Sequence, residues 1–314
     1  MAQPMRSMAA AASGGVVRET VKSHMAQTLI EGILEPYWEA SRTSEAVVQA
    51  LESKFSEEDI VFDHFAFRTF GVAGLGIGSA SRIFTDLGYT RRDALEFPAK
   101  KLRAYWFAPP NRSLPRVFVS ELKVDYFIVE ELSSKAQEVI ARYTNEDASL
   151  MGSYGTVMGM MGCQPWPTPT LRDYELLAKE SEYAAWVLAH GYALNHTTIS
   201  VHSLRELKGG LSGMNELLQE MGFHLSAEGG ISKISPDGLL HQSSTVADKV
   251  PYTFACGETR LIPGSYIEFA ERHVLPEHKS LSASEITEEH RREGFESSNA
   301  DKIFESTYVG AQRR

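Results

Sequence analysis

The chain has 314 residues, 43% of them hydrophobic, with 24 Gly, 13 Pro and a formal net charge of −10; this supports one large core or two small ones and sets it apart from disordered polymers. No basic run exceeds short pairs such as Arg91-Arg92, which argues against nucleic acid as the main partner, although one pocket arginine suffices for a small anion. No apolar stretch approaches the ~20 residues that span a bilayer, so no membrane segment is expected.

The first eighteen residues, MAQPMRSMAAAASGGVVR, are rich in Ala and Ser, carry Arg6 and Arg18 and lack acids. Organelle transit peptides and disordered termini share that composition. From Val17 to Phe55 apolar residues recur at helical spacing, first Val21, Met25, Leu29 and Ile33, then Val47, Val48 and Leu51. Pro36 lies between these runs, so two helices with a break near Glu35-Pro36 are predicted. Val61 to Arg68 reads as a strand. In Gly74-Leu75-Gly76-Ile77-Gly78-Ser79, Ser79 stands where a dinucleotide-binding loop needs its third glycine, and the run is expected to be a flexible connection. Ser79 to Leu87 reads as a helix stopped at Gly88, with strands following through Tyr105-Trp106-Phe107 and Arg116 to Leu122.

Between Glu130 and Ala193 the chain turns helical, over Ala136–Tyr143 and Leu171–His190, around the Pro-rich stretch Gln164 to Pro169. The two cysteines, Cys163 and Cys256, form no C-x-x-C pair, so a reducing compartment without a disulfide framework is expected. Ala193 to Val201 begins a second strand series, Leu204 to Met221 reads as a helix stopped at Gly222, and strands follow to Tyr266–Arg272.

The two halves rhyme. Each opens on a strand bearing a histidine, continues into a helix ending in Leu-Gly-Tyr or Met-Gly-Phe, and closes on an apolar strand bearing a glutamate, Glu121 or Glu268. The expected fold is therefore α+β: paired βαβββ modules around a metal, the layout of vicinal-oxygen-chelate metalloenzymes, with N-terminal helices and a helical insertion. A disordered or targeting N-terminus at 1–18 precedes a single catalytic domain at 19–314. Module one covers about 56–129, the insertion about 130–192, module two about 193–275, and a C-terminal segment 276–314.

Side chains two apart on a strand share a face. His64, Ala66 and Arg68 then share one, as do His196, Thr198 and Ser200, and Glu268 and Ala270. Three strands each present one potential metal ligand beside small or polar neighbours. A lone strand histidine is usually a hydrogen-bonded core residue; here that reading must hold at equivalent points of two repeats. Two histidines and one carboxylate leave open positions, which suits iron(II) enzymes that bind substrate and dioxygen together. His202 would lie about 20 Å beyond His196 on an extended strand, too far to share its metal. Glu121 is expected to be a solvent-facing or supporting carboxylate, and His273 and His278 surface residues.

The strings Asp63-His64-Phe65-Ala66-Phe67-Arg68-Thr69-Phe70, Leu194-Asn195-His196-Thr197-Thr198 and Gly264 to Arg272 resemble the 2-oxoadipate dioxygenase/decarboxylase (hydroxyglutarate synthase) family, in particular its compact plant branch. The resemblance runs from the N-terminal helices to the C-terminus. It implies a vicinal-oxygen-chelate-like core, Fe(2+), and conversion of 2-oxoadipate and O2 to D-2-hydroxyglutarate and CO2 in lysine catabolism. By the same resemblance His64, His196 and Glu268 match the metal ligands and Arg68 the catalytic, substrate-binding clamp, about 13 Å along the strand from His64. Together with the acid-poor start it implies a plastid protein. The family's C-terminal substrate contacts find no clear counterpart. Two other classes remain open on the residues alone: a glyoxalase-type isomerase or lyase that uses no O2, and a non-catalytic metal-binding scaffold. A structural reading of Arg68 also stays open, as the partner of Asp63 or Asp93.

Overall fold

The structure is a computed structural model, and it describes residues 16–124, 132–144 and 153–307. The proposed leader up to residue 15 and the first two residues of the insertion lie outside the described residues.

In α1 (Val16–Ala40) the buried stripe is Ala26, Leu29, Ile33 and Tyr37, spaced three and four apart. Val21 and Met25, expected in that stripe, are each 52% exposed. The expected break at Pro36 does not occur. Pro36 lies inside α1, and the chain turns only at Ser41, whose hydroxyl accepts from the Ser44 N–H to cap α2 (Arg42–Glu52). The ladder bond lost at proline is offset by anchoring next door. There the Tyr37 hydroxyl donates to the Tyr266 carbonyl at 2.5 Å and meets Thr197 Oγ1 at 3.1 Å.

Eight strands form one sheet. In chain order they are β1 (Phe62–Gly71), β2 (Thr90–Phe97), β3 (Leu102–Ala108), β4 (Arg116–Lys123), β5 (Leu194–Ser200), β6 (Lys233–Ile234), β7 (Leu240–Ser244) and, after the separate hairpin β8 (Lys249–Thr253) and β9 (Thr259–Pro263), β10 (Tyr266–Arg272). Their spatial order is β2-β3-β4-β1-β5-β10-β7-β6. β1 runs parallel to β4, and β5 parallel to β10; the outer neighbours in each half are antiparallel. The halves thus share one βαβββ topology, joined where β1 and β5 pair antiparallel. Phe65 pairs with Thr197 there, with His64 opposite Thr198 and Ala66 opposite His196. A pseudo-twofold axis through the Phe65–Thr197 pair therefore carries His64 onto His196.

The helices depart from expectation in detail. The predicted helix after the glycine run is two short turns, α3 (Ile77–Ala80) and α4 (Arg82–Asp86). The insertion contributes α5 (Ser134–Thr144), α6 (Ser153–Met160), α7 (Leu171–Glu180) and α8 (Glu182–His190). The predicted 171–190 helix is split because Ser181 is extended and its side chain caps α8 by accepting from the Ala184 N–H. Module two's helix, α9, spans Gly210–Glu220 rather than starting at Leu204. Gly209 sits in the left-handed region at φ 81°, a turn that costs glycine little and forces a late start.

The sheet is covered on both faces. Against one, Phe65 and Phe67 pack on Leu29, Ile33 and Tyr37, while Ile199, Ile267 and Phe269 pack on α2 and α9 through Val47, Leu51, Met214 and Leu218. Each fully buried large apolar side chain contributes about 1.5–3 kcal/mol. On the other face Ala66, Trp106 and Phe118 meet Tyr183, Trp186 and Val187 of α8, and Phe304, which follows α10 (Ser297–Ile303). The histidine-bearing face is thus closed by the insertion and the C-terminal segment.

Candidate metal centre

Strand pairing assembles the triad. His64 lies opposite Thr198, Thr198 opposite Glu268, and His196 opposite both Ala66 and Tyr266, so all three ligand-type side chains project from adjacent strands onto one face. His196 Nε2 lies 3.2 Å and His64 Nε2 3.6 Å from Glu268 Oε2. One donor atom from each falls within 4.8 Å of the others, and all three residues are buried.

Each member is held by a partner on the side away from the other two, although His64 Nε2 also lies 3.0 Å from Thr198 Oγ1. Asp63 Oδ1 lies 2.8 Å from His64 Nδ1, and Asn195 Oδ1 lies 3.0 Å from His196 Nδ1. Both imidazoles then donate through Nδ1 and turn the Nε2 lone pair inward. Gln242 Nε2 donates to Glu268 Oε1 and so orients the carboxylate. Asp63 is itself fixed: Arg272 Nε reaches its Oδ2 at 2.6 Å and Arg116 Nη1 at 3.2 Å.

Electrostatics agrees with a cation site. Burial would raise the Glu268 carboxyl, but His64 and His196 hold it down at about 2. Burial pushes His196 down to about 4, leaving it neutral as a ligand must be. Burial also opposes charge on His64, yet Glu268 and Asp63 raise it. Asp63 has two guanidinium partners, whereas Glu268 meets two imidazoles and the neutral Gln242 amide. A divalent ion among the three Nε2 and Oε2 atoms would supply the missing charge, and the donor set fits one.

Arg68 shares this face and is 1% exposed. Its Nη1 donates to Thr307 Oγ1 at 2.8 Å and its Nη2 to the Phe304 carbonyl at 3.3 Å. The guanidinium stands 5.1–5.6 Å from the ring centroids of Tyr183, Trp186 and Phe304. Among the described residues it makes no ion pair. Asp63 is taken by Arg272 and Arg116, and Asp93 accepts from Trp106 Nε1 at 3.2 Å. Arg68 Nε and Asn195 Nδ2 are buried without a hydrogen-bond partner among the described residues. An anionic ligand is what such a site lacks.

Other sequence candidates fall elsewhere. Glu121 is neither solvent-facing nor beside the triad. It pairs with Thr69, so it points to the opposite face, where it is 4% exposed, binds Arg103 and accepts from the Ile77 N–H at 2.8 Å. The glycine run expected to be a flexible connection is thereby tied down, and a Cβ at Gly76 would lie 2.4 Å from Glu121 Oε2. His202 stays out of the triad as expected, but because the strand ends at Ser200 and turns; its Nε2 lies 2.9 Å from Glu288 Oε2. His273 and His278 keep part of their side chains at the surface. Asp63, Asn195, Gln242 and Arg272 were missed by sequence reasoning. Only the first two left a signal, a polar residue immediately before each histidine.

The sequence profile of the 2-oxoadipate dioxygenase/decarboxylase family matches residues 25–284. The chloroplastic 2-oxoadipate dioxygenase/decarboxylase of Arabidopsis thaliana is 50% identical over 284 residues, which cover 87% of this chain and 74% of that protein. The crystal structure of hydroxyglutarate synthase from Oryza sativa, in complex with 2-oxoadipate, superposes with a TM-score of 0.86 at 45% identity over 98% of both chains. A glyoxalase superfamily protein from Ralstonia eutropha, at 23% identity and a TM-score of 0.61 over 80% of this chain and 84% of that one, shares the fold. A profile match over most of the chain, with half of the aligned residues identical to a curated relative, settles the assignment: the chain belongs to the 2-oxoadipate dioxygenase/decarboxylase family.

Proposed function

We propose that this chain is an iron(II)-dependent enzyme converting 2-oxoadipate and O2 to D-2-hydroxyglutarate and CO2, a step of lysine breakdown, in plastids. The observation that carries the reading is the pairing on one face of a two-histidine, one-glutamate cluster with a buried arginine that has no carboxylate partner among the described residues. His64, His196 and Glu268 would hold the ion, which when bound supplies redox chemistry and sites for the keto and carboxylate oxygens of a 2-oxo acid beside dioxygen. The chain's own residues do the rest. Arg68 binds the distal carboxylate through its planar fork. Tyr183, Trp186 and Phe304 wall that guanidinium from water, which strengthens the pair. Asp63 and Asn195 accept from Nδ1 and hold the two imidazoles in the tautomer whose Nε2 can bind the ion. The substrate loses C1 as CO2 and supplies its own reducing electrons, so no second 2-oxo acid is consumed. The chloroplastic designation of the Arabidopsis relative and the acid-poor N-terminus support the compartment.

Protein loaded anaerobically with iron(II) and exposed to O2 with a panel of 2-oxo acids tests this. One O2 consumed and one CO2 released per 2-oxoadipate, abolished in His64→Ala, His196→Ala and Glu268→Ala together with bound iron, is expected. Metal-dependent turnover without O2 uptake would replace it with a glyoxalase-type reaction. Failure of the wild type to retain a metal would leave a scaffold. A fluorescent fusion of the full-length precursor that stays cytosolic would remove the plastid assignment.

A further inference from the structure

The opposite face of β10 and its neighbour β7 carries a second group of ligand-type side chains, which the proposed reaction does not use. Alternation along β10 turns Glu271 away from the face of Glu268, and His241 on β7 is its register partner. Just past β10, the His273 N–H donates to the Leu239 carbonyl at 2.9 Å, which sets a second imidazole beside them. His273 Nε2 lies 3.3 Å from His241 Nδ1 and 3.8 Å from Glu271 Oε2. In the buried triad the two histidine–glutamate separations are 3.2 and 3.6 Å, against 3.8 Å for the one here, so the second cluster is slightly looser. Donors about 2.0–2.1 Å from a tetrahedral ion stand about 3.4 Å apart, close to both values.

Glu271 is positioned independently of the histidines. Its Oε2 accepts from the Leu211 N–H at 2.7 Å, and a Cβ at Gly210 would fall 2.4 Å from its Oε1, so the carboxylate has a fitted seat. All three residues are half-buried, which leaves room for exchange with solvent. The simpler account is a hydrogen bond between two neutral imidazoles with a carboxylate near by. Arg291, close enough to act on His273, opposes a cation there; its Nη1 is turned to the Arg272 carbonyl at 2.8 Å.

We propose that His241, Glu271 and His273 form a second divalent-cation site, of the zinc-binding type, with solvent completing the coordination. Two imidazoles and one carboxylate suit zinc and its neighbours in the transition series. A bound ion would tie β7 to the end of β10, back to back with the Glu268–Gln242 contact.

Zinc(II) added to the metal-free full chain, with bound metal counted after equilibrium dialysis, tests the site without reference to turnover. Two equivalents are expected for the wild type, one each for His241→Ala, His273→Ala and His196→Ala, and none for the His196→Ala/His273→Ala double variant. Glu271→Gln, which keeps the shape and an acceptor for Leu211, should weaken the second equivalent at least tenfold. Wild type binding one equivalent that His196→Ala removes and His273→Ala does not would overturn the second site and leave the first reading standing. One equivalent removed only by His273→Ala would do the reverse. Unchanged stoichiometry in both His241→Ala and His273→Ala, with folding verified by circular dichroism, overturns the proposal.

Discussion

Phe118 occupies in the first module the place that Glu268 occupies in the second. The axis that carries His64 onto His196 carries Ala66 onto Thr198; Ala66 pairs with Phe118 and Thr198 with Glu268. A symmetric site would have two carboxylates. Here the first module offers an aromatic ring, tilted against Phe295 with centroids 5.0 Å apart, so no fourth carboxylate joins the three donors from this position.

Phe118→Glu should therefore restore a fourth donor. Metal content is expected to stay at wild-type level while O2 uptake with 2-oxoadipate falls about tenfold or more, at least about 1.4 kcal/mol of barrier. Phe118→Leu, which keeps the position apolar, should retain most of the uptake. Wild-type turnover in Phe118→Glu would show that this side of the ion is not where the reactants bind.

Asp63 joins stability to the site. Its carboxylate is fully buried, bonded to His64, and shared by Arg272 and Arg116, which hold it well below the usual carboxylate range despite burial. Asp63→Asn leaves the buried Arg272 without a carboxylate partner, while Arg116 keeps Glu288 and Glu293, and should cost about 3–5 kcal/mol of stability and ten- to a hundred-fold in metal affinity. The folded value lies below the unfolded value of about 3.9. Its stabilising contribution is thus complete above that pH and is lost as pH falls towards the folded value. Urea unfolding from pH 7 to pH 3 should show the gap between wild type and Asp63→Asn constant down to about pH 5 and narrowing below. A gap that widens on acidification would contradict the assignment.

Arg68 separates clamp from strut. A charge-assisted fork to a distal carboxylate contributes about 1.5–3 kcal/mol, so Arg68→Ala should reduce the preference for 2-oxoadipate over a 2-oxo acid with an apolar end by roughly ten- to a hundred-fold in kcat/KM. Iron content should be unchanged. Arg68→Lys keeps the charge without the fork and should fall between. The bonds to Thr307 and Phe304 add a structural expectation: faster amide exchange around residues 304–307 in Arg68→Ala. Faster exchange and lower stability with the substrate preference intact would make Arg68 a strut alone.

Glu121 should matter for folding and not for chemistry. Glu121→Gln weakens its pair with the half-exposed Arg103 and its hold on the Ile77 N–H; the buried charge-assisted bond to that N–H is worth about 1.5–3 kcal/mol. Melting temperature should drop while bound metal and the KM for 2-oxoadipate remain unchanged. Loss of metal in Glu121→Gln would return this carboxylate to the site, against its placement on the other face of β4.

Much of the site was legible because strand alternation is a local rule. Once Val61–Arg68, Ala193–Val201 and Tyr266–Arg272 read as strands, His64 with Arg68, His196 with Thr198, and Glu268 with Ala270 each had to share a face. The repeat of histidine, helix and glutamate implied paired modules, and the structure pairs them through β1 and β5. Register lay beyond such reasoning. Glu121 and Glu268 look equivalent in sequence, but three residues of offset along β4 put Glu121 on the far face and Phe118 in its place, because a strand flips its side chains at every step. Helix limits were decided the same way. Pro36 should end a helix, and does not, because Tyr37 is anchored to β10 across the core. By itself the sequence determined which residue types face one another along each strand, and hence the three donors and the arginine, since alternation needs no partner. Which strand lies beside which, and so the Asp63–Arg272 lock, the ring at Phe118 and the meeting of His241 with Glu271 and His273, depends on contacts between distant segments that only the folded sheet creates.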